Sequence, residues 1–143
     1  MKIFETNKIA ISLLSPFFFT FAIYLHLNGE VSPGGGFGAG VLFASIFIIR
    51  HFCGVGEWFS HSFVNKISFG GICGYFAIAL LSLLINGSFL DYSFISTIFN
   101  TPASLSQQIG IFAVETCILA TVFASCYKIF LTFYQTTSFV DSF

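Results

Sequence analysis

Charged side chains are scarce in this sequence: five Lys and Arg and six Asp and Glu among 143 residues, 8% of the chain. Soluble domains carry about 25%, so the deficit argues against a water-soluble globule. With a formal net charge of −1 and no run of like charge, the chain also lacks the electrostatic footprint of a nucleic-acid binder. Catalytic groupings are missing too. No Ser-His-Asp arrangement and no carboxylate pair can be picked out, which leaves hydrolytic chemistry without support and reads as a non-enzyme that needs no cofactor. Cys53, Cys73, Cys117 and Cys126 form no C-x-x-C pair and have no histidine at ligand spacing, so no metal centre is expected. They read as small apolar packing groups.

What is present is hydrocarbon: 56% hydrophobic residues, including 22 phenylalanines. Crossing about 30 Å of hydrocarbon takes about 20 apolar residues in a helix, and four stretches qualify, at about 9–28, 36–53, 68–86 and 109–134. The expected fold is an all-α integral membrane protein, a single domain over 1–143 with four transmembrane helices. The first stretch is too long for the core of a cleaved leader and lacks an A-x-A-like site, so it reads as an uncleaved helix. Pro16 lies inside it, a defect that neighbouring helices can absorb.

Four spans place both termini and the connection near 54–67 on one side. Lys2, Lys8, Arg50, Lys66 and Lys128 all fall on that side or at its membrane boundary, whereas the other side carries Glu30 and Asp91 without a cation. Cations in short loops mark the cytoplasmic face. Both termini are therefore expected in the cytoplasm of a multi-pass cell-membrane protein, with the bilayer as its solvent. Arg50 and Lys128 are expected to snorkel toward that face, and His51 and His61 to meet water or partners there. The long outer connection, 87–108, is rich in Phe, Leu, Ile and Tyr, as for a segment lying on the membrane or packed on a partner. Thr101-Pro102 is the expected turn into the last helix.

The stretch "NGEVSPGGGFGAG" at 28–40 has no G-K-[ST] and no preceding strand, which excludes a nucleotide cradle. Its reading is mechanical: Pro33 fixes the backbone and Gly34, Gly35 and Gly36 permit a tight entry into the second helix. Gly36, Gly40 and Ala44 then make a stripe of small residues on which another helix can approach closely; Gly70 and Gly74 are a weaker version on the third. Glu115 is the sharpest signal, a carboxylate about two turns into the fourth span, where facing lipid is costly. It reads either as an ion- or proton-handling group or as a structural carboxyl bonded to a neighbouring helix. Gln108 shares nearly the same helical face. His26 reads as a proton relay or as an ordinary interfacial histidine.

Taken together, "NGEVSPGGGFGAGVLFASIFI" resembles the signature of the B-subunit family of Mrp-type multisubunit monovalent cation/proton antiporters, the MnhB domain. The resemblance centres on Ser32-Pro33-Gly34-Gly35-Gly36-Phe37, continues through Ala39-Gly40, and extends to four spans with an acidic residue in "GIFAVETCILATV". Two positions depart from it: Asn28 stands where the family has histidine, and Gly38 where it has glutamine. The resemblance implies a small subunit of a large membrane complex that exchanges sodium or another monovalent cation for protons, with companion subunits as partners. Assembly, and part of the ion route, are the roles it implies for this chain. Two other readings stand beside it: a purely structural interaction subunit, and a small self-associating transporter or channel.

Overall fold

In lipid every backbone amide must be satisfied within its own segment, and this chain answers with helices alone among its described residues. The computed structural model describes residues 2–29, 34–55, 59–86 and 88–140, with side chains for 6–29, 34–55, 59–85 and 88–136. Ser32 and Pro33 of the expected turn, and Glu30, lie outside them. The helices are α1 (Lys2–Leu27), α2 (Gly35–Phe52), α3 (His61–Asn86), α4 (Ser93–Phe99) and α5 (Ala103–Val140). All but α4 are long and apolar enough to cross a membrane.

Three of the four spanning helices outrun their apolar stretches, because hydropathy marks the membrane and capping marks the helix. Ser60 starts α3 ahead of the expected residue 68: its Oγ accepts from Phe63 N at 3.3 Å and its carbonyl from Val64 N at 3.0 Å. Pro102 sets the start of α5 at Ala103, its carbonyl accepting from Ser106 N at 3.1 Å. At 38 residues, α5 is about 57 Å long, nearly twice the hydrocarbon thickness. No breaker separates the polar start of α1 from its apolar run, and the helix continues through Pro16.

The connection after α3 is not a loose amphipathic strip. Its middle is α4, which packs on α5 and α3 of this same chain through the buried Phe94. A fully buried hydroxyl holds the turn before it: Ser82 Oγ donates toward Ser88 O (2.7 Å) and Asp91 O (2.9 Å) and accepts from Asp91 N at 2.7 Å. Tyr92 follows, its ring over Gly110. Burial, and then the neighbouring Tyr75, push its phenol above the ordinary value, so it remains a neutral hydroxyl at physiological pH.

The long helices stand in a row, α1–α2–α5–α3, rather than a closed bundle. Among the described residues α2 and α3 do not pack on one another, and nor do α1 and α3. α5 is the centre of the row. Ala44, Val64, Phe123, Ala124, Tyr127 and Leu131 form its main core, closed by Phe47 and Phe59, whose rings meet Phe123 edge-on at 5.6 and 5.7 Å. His51 joins this end. It is only 7% exposed and sits edge-on to Phe130 and Tyr134 at 5.3 and 4.8 Å, so it is a packed residue of α2 rather than a water-facing one.

The small-residue stripe of α2 is where it was expected but is already occupied. Gly36, Gly40 and Ala44 are buried against α5 of the same chain, so this seam closes the fold rather than receiving a companion helix. On α3 one of the two expected stripe residues, Gly74, faces α5, and Gly71 rather than Gly70 is the other. A methyl at Gly70 would meet open space, whereas one at Gly71 would collide with Thr121 Oγ1 and lie 2.7 Å from Cys117 O; Gly74 faces Cys117 Sγ.

Candidate functional site

Residues of α1, α2 and α5 converge at the end of the row that holds the C-terminus of α1 and the N-terminus of α2. α1 is closed there by Asn28, whose backbone N–H and Nδ2 both reach Tyr24 O, at 3.0 and 2.9 Å. Asn28 thus serves as a helix terminator.

Across from this turn stands Glu115 of α5, half-buried. Its carboxylate lies directly against two glycines. A methyl group at Gly29 would overlap the carboxylate oxygens, and one at Gly35 would lie 2.6 Å from Oε1. At Gly36 a methyl would strike the Glu115 backbone carbonyl. Gly34 and Gly35 also have φ of +133° and +41°, which side-chain-bearing residues rarely adopt. The glycine run is therefore required twice, by backbone conformation and by the space that Glu115 fills. The first intrahelical bond of α2, Gly38 N to Gly34 O at 2.6 Å, starts the helix beside the carboxylate. The amides of that first turn point away from the helix body and carry its partial positive charge, an environment that suits an anion.

Since α5 begins at Ala103 rather than near residue 109, Glu115 lies about 18 Å along its helix, more than three turns in. Its neighbour Thr116 links α5 to α1. Thr116 Oγ1 donates to Phe112 O at 2.8 Å and stands 3.1 Å from His26 Nε2. With the hydroxyl proton so committed, His26 donates from Nε2. Its other ring nitrogen, Nδ1, is buried and has no hydrogen-bond partner among the described residues. The His26 ring rests on Phe112 at 4.9 Å. A carboxylate and an imidazole are thus held on successive residues of one helix, the second through a threonine.

Of the residues marked in the sequence, Glu115, Gly34, Gly35, Gly36 and His26 meet here. Gly40 and Ala44 continue the seam inward; a methyl on Gly40 would lie 2.9 Å from Leu119 O. Phe37 points outward, 64% exposed. Gln108 is exposed on α5, about 10 Å along the helix from Glu115, and does not join the cluster. Gly29 and Thr116 belong to the site and were missed. Neither carries a local signal, since each matters only through a helix remote in sequence. The described residues contain no group of His, Cys, Asp and Glu able to hold a metal ion.

Residues 6–128 match a family model described as a domain related to the MnhB subunit of Na+/H+ antiporter. A stretch of 67 residues is 34% identical to the uncharacterized protein MJ1307 of Methanocaldococcus jannaschii, covering 45% of this chain and 26% of that protein. The chain thus matches about a quarter of that relative's length. No solved structure matches.

Proposed function

Because the chain belongs to the family of domains related to the MnhB subunit of Na+/H+ antiporters, we propose that it is a membrane subunit of a multisubunit antiporter that exchanges a monovalent cation, sodium first, for protons. Within it, Glu115 is the group that meets the ions. The observation that carries this reading is the carboxylate held at the glycine turn, at the mouth of α2 and beside the His26–Thr116 pair. An ionised carboxylate suits a hard monovalent cation, and protonation releases that cation. A row of four helices has too little interior to enclose a path across the bilayer, so companion subunits supply the other wall. The second reading, a structural carboxyl that moulds the turn, draws on the same close fit.

The proposal has two tests. The tagged chain, isolated from its native membranes, is expected to bring discrete companion polypeptides, and the reconstituted assembly to dissipate a pH gradient when sodium is added. Recovery of the chain alone, or as a homo-oligomer, would sink it. The second test concerns orientation, for which the one-sided Lys and Arg distribution argues that both termini face the cytoplasm. With Cys53, Cys73, Cys117 and Cys126 replaced, an impermeant thiol reagent on intact cells is expected to modify Ser88→Cys and spare Ser62→Cys, both exposed positions. The opposite labelling pattern inverts the topology.

A further inference from the structure

The α1–α2 turn lies below the surface that the rest of the chain reaches. Lys128, exposed on α5, marks one edge of the hydrocarbon layer, since an ammonium group is costly inside it. Glu115 is about 20 Å from Lys128 by helical rise, so it stands about 10 Å inside the far edge of a layer about 30 Å thick. Gln108, about 10 Å farther along α5, marks that far edge. The contacts of Gly29, Gly35 and Gly36 with Glu115 hold the turn at the depth of the carboxylate. α3 climbs past it. Gly74 faces Cys117 Sγ, and from there α3 rises about 18 Å more to Asn86. α1 and α2 therefore stop at a step, with the ends of α3 and α5 standing about 15 Å above it.

Lipid tails do not suit such a step. Irregular backbone at membrane depth persists only where protein covers it or water reaches it, and Gly34 and Gly35, at φ +133° and +41°, are such backbone. Among the described residues α3 and α4 pack on α5 and not on α1 or α2, so neither covers the turn. A carboxylate at this depth likewise faces protein or a wet cavity. The wall that rises above Glu115 is polar too. At about 100° per residue, Ser104, Gln108 and Glu115 fall within about 40° of one another on α5. Ser104 and Gln108 are both exposed, and the half-buried Ile111 flanks them on the same face. In the opposite direction the seam is dry: Gly40 abuts Leu119 O, and beyond it Ala44, Phe123, Ala124 and Tyr127 are buried together.

We infer that the α5 face from Ser104 through Gln108 to Glu115 lines a water-filled recess, open on the side of the α1–α2 turn and closed toward the other, by which a hydrated monovalent cation and protons reach Glu115. Gln108 stands at the mouth, where its amide oxygen replaces hydration water that an entering cation sheds. The recess makes this chain half of a route. Because the seam inward of Glu115 is dry, ions pass between the carboxylate and the opposite side by way of a companion subunit. The inference rests on the reading that Glu115 meets the ions.

The test uses the whole complex in native membranes, with Cys53, Cys73, Cys117 and Cys126 replaced and a membrane-impermeant trimethylammonium thiosulfonate as the probe. Ile111→Cys is expected to react about tenfold faster than Leu80→Cys, because the thiolate is the reacting form and it arises in water rather than in hydrocarbon. Leu80, on α3, lies at about the depth of Ile111 by helical rise and is 52% exposed. The reaction should come from the side that labels Ser88→Cys. The bulky cation attached at position 111 should block sodium-driven proton exchange, and the same group at position 80 should leave it intact. Should the Ile111→Cys chain fail to accumulate, Gln108→Leu decides: at this exposed position it should raise the sodium concentration for half-maximal exchange several-fold without lowering the maximal rate. Equally slow reaction at positions 111 and 80, as when lipid or a companion helix fills the step, would overturn the proposal. So would reaction from the opposite side, full exchange after modification at position 111, or an unchanged sodium dependence in Gln108→Leu. If Glu115→Gln loses exchange while Ile111→Cys stays unreactive, only the recess fails; if Glu115→Gln exchanges at the parental rate, the ion-handling reading fails and the route with it.

Discussion

Gly36→Ala is expected to unfold the protein at markedly lower temperature or denaturant than the parent, whereas Gly38→Ala, two residues away on the same helix, is expected to be neutral or slightly stabilising. The difference is geometric. A methyl group at Gly36 strikes the backbone carbonyl of Glu115, and backbone cannot swing aside as a side-chain tip can. α2 must then shift off α5 along the seam that continues through Gly40 and Ala44. Overpacking of this kind costs about 1–3 kcal/mol. At Gly38 the new methyl meets only Leu25 Cδ1, at 3.9 Å, an ordinary contact, and alanine is the better helix former by about 0.5–1 kcal/mol. Thermal unfolding of the purified chain in detergent reads both. Equal midpoints for the two variants would remove close helix approach as the reason for glycine at position 36. Because the stripe faces α5 of its own chain, the loss should appear in the isolated subunit and not merely in complex recovery.

That partner choice marks where sequence reading stops. The four spans were legible because lipid imposes length and hydropathy on each of them separately. The turn at Pro102 was legible because proline acts on its immediate neighbours. Helix ends were less so, since a capping serine such as Ser60 lies outside the apolar run that identifies the span. Which faces meet was not legible at all. Gly70 and Gly71 are adjacent and chemically identical, and only the placement of Thr121 and Cys117 decides that the second bears the contact. The stripe Gly36–Gly40–Ala44 announces close approach without naming the approaching helix. Likewise a carboxylate at Glu115 and a glycine run at 34–36 each drew notice, but their contact spans some 80 residues and has no local signature. His51 is the converse case: its position in a polar-looking segment hid a residue packed between two rings.

The contact between Glu115 and the glycine turn also decides how the carboxylate should be tested. Glu115→Gln keeps size and shape, so it continues to fill the space against Gly29 and Gly35, but it cannot carry charge or titrate. If Glu115 handles ions, the Gln variant is expected to assemble at parental yield while sodium-driven proton exchange in proteoliposomes collapses. A charge-assisted contact is worth about 1.5–3 kcal/mol, so its loss weakens cation binding by about 10- to 150-fold. Glu115→Asp should retain part of the exchange, since the shorter acid still titrates but withdraws from the turn by one methylene. Glu115→Ala should fail twice, because it removes the charge and also leaves a void against Gly29 and Gly35 that the seam with α2 closes only partly. His26→Gln supplies the contrast within the same cluster. It preserves a donor toward Thr116 Oγ1 while removing the imidazole, and is expected to slow exchange without abolishing its sodium dependence. A purely structural Glu115 predicts a different pattern: near-parental exchange in the Gln variant, with loss of assembly confined to Ala. Parental assembly and parental exchange in both the Gln and Ala variants would reject both roles, because neither the charge nor the volume of the side chain would then matter to the turn it touches.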